Sequence, residues 1–111
     1  MTDCIFCEIA AGRIPTDKVY EDDRVLAFRD INPKAAVHLL VIPRQHVASL
    51  DELDGSHDEL IAHLVRVLPR LARDQGLETG YRTIINTGAG GGQEVFHLHA
   101  HLMGGSDLPG F

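Results

Sequence analysis

Three histidines alternate with small or apolar residues in His97-Leu98-His99-Ala100-His101. Imidazole is the side chain best suited to chemistry near neutral pH, because one ring nitrogen can be fixed while the other works. The surrounding stretch, Val95 to Met103, reads as a strand of period two, with Phe96, Leu98, Ala100 and Leu102 on one face. The other face then carries His97, His99 and His101, spaced about 6.5 Å apart along the sheet. Three imidazoles on one face need hydrogen-bond partners and shift one another's pKa. A histidine held in one tautomer can attack phosphorus directly, and a second imidazole beside it can hand a proton to the departing group.

Other residues fit that chemistry. Gly88-Ala89-Gly90-Gly91-Gly92-Gln93 has four glycines in six positions, immediately before the histidine stretch. Glycine permits positive φ, so successive N–H groups of such a loop can converge on one anion. A flexible connection is the other reading, and the position just before the histidine strand favours the first. Cys4-x-x-Cys7 points to a metal or redox role more than to a structural disulfide.

The elements that must position these groups follow from periodicity and turn signals. Ile5 to Ala11 reads as a short helix closed by Gly12, with Pro15 beyond it. Strands are expected over Lys18–Glu21 and Arg24–Phe28–Arg29, joined by a tight turn at Asp22-Asp23. His38–Ile42 forms a third strand, apolar on both faces and therefore central, stopped by Pro43. Ser56-x-x-Glu59 matches a capping box opening one long helix, whose stripe is Leu60, Ile61, Leu64, Val65, Leu68 and Leu71. Pro69 should kink that helix or weaken its last turns, and His57 and His63 are expected on its solvent face. Tyr81 to Asn86 gives a fourth strand, and the histidine stretch the fifth. The fold class is α+β, a five-stranded antiparallel meander with one long and one short helix.

A chain of 111 residues suits a single domain over 1–111. Its net charge of −6 argues against general nucleic-acid binding, which needs basic stripes. No apolar run approaches a membrane span and no signal-peptide pattern opens the chain, so the expectation is a cytoplasmic protein with no membrane partner.

The stretch from Gly91 through His97-x-His99-x-His101 to Gly104-Gly105 resembles the signature of the histidine-triad superfamily of nucleotidyl hydrolases and transferases, its Hint branch in particular. The resemblance runs from Ile5 to Gly105. It implies the same architecture, and a homodimer whose two sheets join. It also implies hydrolysis of the P–N bond of a purine nucleoside 5′-phosphoramidate, with no catalytic cofactor. His99 matches the nucleophile that becomes nucleotidylated, and His101 the residue on the phosphate and leaving-group side. His97 matches the outer triad member. His38 matches a fourth histidine that orients the triad, a role compatible with a core histidine satisfied by a carbonyl. Asp30 matches the aspartate that accepts from both ribose hydroxyls, as a carboxylate can from a cis-diol. An Asx-turn before Pro33 is the other reading. Asn86, Gly92, Gln93 and Glu94 match positions around the phosphate. Asn86 serves equally as a turn cap, and Glu94 is limited to a backbone contact because its carboxylate would repel phosphate.

Cys4, Cys7, His46 and His97 match the ligands of a structural zinc in some bacterial relatives, and two thiolates with two imidazoles complete a tetrahedral shell. A pair of buried reduced thiols is the other reading. The tail Ser106–Phe111 departs from longer tails that reach a partner subunit. Three alternative functions stand beside the first: a dinucleoside polyphosphate hydrolase, a zinc hydrolase using the His-x-His pair, and a nucleotide-binding module with incidental hydrolysis.

Overall fold

The computed structural model describes residues 3–110, so Phe111 at the end of the tail lies outside the described residues. Five strands, β1 (Lys18–Glu21), β2 (Val25–Arg29), β3 (Val37–Pro43), β4 (Arg82–Ile84) and β5 (Ala100–Gly104), form one antiparallel sheet of order β1-β2-β3-β5-β4. Helix α1 is Ile5–Ala10 and the long helix α2 is Asp58–Asp74. The expected meander holds for β1-β2-β3 and for the β4–β5 pair. The connection through α2 sets β4 at the sheet edge, and β5 then returns between β4 and β3.

Each sheet face has its own core. Val25, Ala27, Leu39, Val41, Ala100 and Leu102 pack against Leu64, Val67, Leu68 and Leu71 of α2. On the opposite face Leu26, Phe28, Leu40 and Ile42 pack against Phe6 and Ile9 of α1. Burying each of the valine, leucine, isoleucine and phenylalanine side chains contributes about 1.5–3 kcal/mol. β3 is covered on both sides, as its unbroken apolar run requires. Register places Leu40 opposite His101 and His38 opposite Met103, so both histidines face the α1 side.

Several local expectations are corrected. The capping box belongs to Asp54 and His57, not to Ser56 and Glu59. The Asp54 carboxylate accepts the Ser56 N–H at 2.9 Å, and His57 Nδ1 accepts the Asp54 N–H at 3.0 Å. A short 3-10 turn over Gly55–His57 precedes α2 and moves the cap upstream. His57 is thereby half-buried, and His63 is no solvent residue either: its Nε2 lies 2.7 Å from the Asp22 carboxylate in the β1–β2 turn. Val65 is half-exposed, outside the stripe. Pro69 lies inside α2, and the helix continues past it to Asp74.

The fifth strand is shorter than its pattern. It begins at Ala100, and residues 95–99 bend ahead of it. The Leu98 N–H donates to the Val47 carbonyl at 2.7 Å, which draws this stretch off the ladder. His97, Leu98, His99 and Ala100 are consecutively buried, so strict alternation fails, and Phe96 faces solvent instead of the core. β4 likewise stops at Ile84, because Ile85–Thr87 lead into the glycine loop. Gly104 ends β5 where bulk is impossible: a Cβ there would lie 3.0 Å from both Leu77 methyls. Among the described residues no helix is long and apolar enough to cross a membrane.

Candidate active site

A cavity of about 810 Å³ opens on the α1 side of the sheet. His38 (β3), His101 (β5), His99, Asp30, Asn86, Gly92 and Glu94 line it, with Ile5, Phe6 and Ile9 of α1 as an apolar wall. The sequence-selected residues are thus brought together with two exceptions. His97 is fully buried and turned away. Gln93 is buried too, and its amide braces the loop: Oε1 accepts from Gly88 N–H at 2.9 Å, and Nε2 donates to the Ala48 and Val95 carbonyls at 2.7 and 3.0 Å.

The hydrogen bonds assign tautomers. His99 Nδ1 lies 2.8 Å from the His97 carbonyl, which can only accept, so Nδ1 carries the proton. His99 Nε2 keeps its lone pair for the cavity. His38 Nδ1 accepts the Lys34 backbone N–H at 3.0 Å, which puts the His38 proton on Nε2. That Nε2–H lies 2.9 Å from His101 Nδ1 and 3.4 Å from the Asp30 carboxylate. His101 Nδ1 therefore accepts, and its proton sits on Nε2. One imidazole offers a lone pair and its neighbour an N–H, with ring centroids 5.1 Å apart.

Electrostatics keep the relay neutral. Burial pushes His101 down to about 4, helped by the positive charge that His99 and His38 would carry. Burial lowers His38 as well, against the pull of Asp30. Asp30 is placed by its own backbone N–H donating to the His38 carbonyl at 3.0 Å, and its carboxylate caps the Asn32 N–H at 2.8 Å. Its Oδ2 lies 3.4 Å from His38 Nε2, and the residue lines the cavity. Asn86 does cap the glycine loop, its Nδ2 donating to the Gly91 carbonyl at 2.8 Å. Gly92 has φ +89°, open only to glycine at small cost, and faces that amide. The Glu94 side chain is exposed.

A second cluster lies behind the first. The ligand atoms of Cys4, Cys7, His46 and His97 all fall within 4.8 Å of one another. His97 Nδ1 is 3.3 Å from Cys4 Sγ, 3.5 Å from Cys7 Sγ and 3.2 Å from His46 Nδ1, and Cys7 Sγ is 3.3 Å from His46 Nδ1. Tetrahedral zinc with ordinary Zn–S and Zn–N bonds has N···N and S···N edges of about 3.3–3.6 Å. His97 Nε2–H donates to the Pro43 carbonyl at 2.8 Å, the outer contact that fixes a ligating tautomer. The donor set fits a closed zinc site. Burial, then the adjacent Cys4, pushes the Cys7 thiol up to about 11. Asp30, His38 and His101 also bring ligand atoms together, but the relay already occupies them.

Some contributors carry no side-chain signal: the Lys34 N–H and the Pro43 and His97 carbonyls act through the backbone. Phe6 did carry one, an aromatic between two cysteines. Its ring stands edge-on to His99 at 5.1 Å and to His97 at 6.0 Å.

The family model described as "Scavenger mRNA decapping enzyme C-term binding" matches residues 3–110. A histidine triad protein from Clostridium difficile has the same fold at TM-score 0.95 and 48% identity, covering 100% of this chain and 97% of that one. The chain belongs to the histidine-triad (HIT) family. Protein HitA of Neisseria gonorrhoeae is 51% identical over 104 residues, covering 94% of this chain and 97% of HitA. The purine nucleoside phosphoramidase of Escherichia coli K12 is 43% identical over 105 residues, covering 94% of this chain and 88% of its own. A HIT family hydrolase from Legionella pneumophila matches at TM-score 0.94 and 46% identity, covering 96% of each chain.

Proposed function

We propose that this HIT-family hydrolase cleaves purine nucleoside 5′-phosphoramidates to the nucleoside monophosphate and an amine. The observation that carries the reading is the opposite tautomeric state of His99 and His101 in one cavity. His99 Nε2 attacks the α-phosphorus, forming a P–N bond to the ring as the P–N bond to the amine breaks. His101 Nε2–H hydrogen-bonds to the phosphate on the leaving-group side, and the amine leaves with a proton taken from solvent. Water then attacks the phosphorus, the bond to His99 breaks, and the water's proton passes to solvent. Asn86, Gly92 and the neighbouring backbone hold the phosphate, Asp30 takes the ribose hydroxyls, and Ile5, Phe6 and Ile9 wall the base. Similarity to the Escherichia coli purine nucleoside phosphoramidase supports the substrate class.

Cys4, Cys7, His46 and His97 hold a structural zinc, which when bound supplies a cross-link from α1 to the chain behind His99. Reduced thiolate ligands suit a cytoplasmic setting. Two copies pair as a homodimer through the β4 edge, which no other strand covers among the described residues and beside which Tyr81 is exposed.

The test is rapid-quench intact mass after mixing the protein with adenosine 5′-phosphoramidate, beside a His99→Ala control. A transient gain of one adenylyl group, absent in the control, is the expected result. Turnover without any adduct, or turnover persisting in His99→Ala, would overturn the covalent route. AMP binding with no turnover would leave a nucleotide-binding module.

A further inference from the structure

We propose that Cys4 and Cys7 form an oxidant-sensitive modification site, whose conversion to a disulfide releases the metal and disarms the nucleotide cavity. The proposal rests on the zinc and nucleotide readings above. Three observations converge on it.

First, the sulfurs are reachable. Cys4 and Cys7 line an open depression of about 670 Å³, together with the exposed His46; it adjoins the nucleotide cavity through Ile5, Glu94 and Val95. Second, they are placed to join. Cys4 caps α1 and its Sγ accepts the Cys7 N–H at 3.3 Å. Helix geometry sets Cα atoms three residues apart at about 5 Å, within the Cα span that a disulfide bridges.

Third, the cluster is wired to the nucleophile through one residue. His97 turns Nδ1 to both sulfurs, while its carbonyl receives the His99 Nδ1–H at 2.8 Å. Phe6, between the two cysteines, packs on both imidazoles and walls the cavity. Losing the cluster therefore unties the base wall and the acceptor that fixes the His99 tautomer together.

The reaction balances with a peroxide as oxidant. The two thiolate sulfurs give up two electrons and form the S–S bond. The O–O bond of hydrogen peroxide breaks, takes those electrons with two protons, and leaves as two waters. The metal departs as a hydrated dication. A dithiol reductant with added zinc reverses the change.

The test uses the full chain, purified reduced with zinc and then titrated with hydrogen peroxide. Four readouts are followed: mass of the Cys4–Cys7 peptide after alkylation, zinc release to a chromogenic chelator, AMP affinity by calorimetry, and turnover. The expected result is loss of two hydrogens from that peptide, zinc release in step, and AMP affinity weakened roughly tenfold or more, all restored by dithiothreitol and zinc. A Cys4→Ser/Cys7→Ser variant, whatever its starting affinity, should not weaken further with peroxide. Equal weakening there would assign the effect to another oxidation, such as Met103 in the cavity wall, and overturn the proposal. So would a disulfide form that binds AMP and turns over unchanged, or a reduced protein that holds no zinc. If the reduced protein binds AMP but hydrolyses no phosphoramidate, the substrate reading fails, and the affinity measurement still decides the switch.

Discussion

His38 Nε2 stands 2.9 Å from His101 Nδ1, and the Lys34 backbone N–H on the far side of His38 decides which way that bond points. A main-chain amide thus sets the protonated nitrogen of a ring two steps away. His38→Ala removes the donor and frees His101 to take either tautomer. The expected loss is roughly 10–100-fold in kcat with KM little changed. Nitrogen-15 spectra should show His101 moving from one tautomer to a mixture. An unaltered His101 spectrum would deny His38 this role.

His101 and His38 are both held below the ordinary imidazole value by burial, His101 to about 4. Above pH 6.5 they are neutral in the folded and unfolded chain alike, and contribute no slope. As pH falls from 6.5 toward 4 the unfolded chain takes up protons that the folded chain refuses, so stability declines across that window. Urea midpoints at pH 7 and pH 5 should show the drop, and His101→Gln should flatten it. Stability level or rising toward pH 5 would contradict the depressed values.

Asp30 lies near the relay, its Oδ2 3.4 Å from His38 Nε2, and on the cavity wall. If it grips the ribose, Asp30→Asn raises KM roughly tenfold, as loss of a charged hydrogen bond worth about 1.5–3 kcal/mol implies. The same change should shrink the enzyme's preference for ribo- over 2′-deoxyribonucleotide substrates. An undiminished preference would leave Asp30 only its turn with Asn32.

Gly104 meets Leu77 with no room between them. Gly104→Ala should cost about 1–3 kcal/mol by overpacking, read as a lower urea midpoint. Trimming the neighbour in a Gly104→Ala/Leu77→Val double variant should recover part of the loss. A double variant no better than the sum of the singles would place the strain elsewhere.

Part of the site was legible in residue types and part only through the family resemblance. The histidine spacing and the glycine run pointed to His99, His101 and Gly92, the resemblance to His38 and Asp30, and these line one cavity. What escaped was carried by the backbone or by a bend. Alternation assigned His97 to the same face as His99 and His101, but the Leu98 N–H bonds to Val47 outside the ladder, so His97 turns inward to Pro43. The Gln93 side chain braces the glycine loop from inside, a role its position did not announce. His63 found Asp22, 41 residues away, a pairing no local pattern records.

The contact between Cys4 and His97 joins residues 93 positions apart. Closing so long a loop is entropically late and depends on the sheet being in place. Phe6 and Ile9 can dock on Leu26, Phe28, Leu40 and Ile42 once β2 and β3 are paired, but the Cys4 contact waits for His97. A ribosome-bound chain stopped before His97 can build β1-β2-β3 and α2, yet it holds half a cavity without a nucleophile. A chain that stops short of His99 therefore lacks the proposed nucleophile, however much of the sheet it has formed.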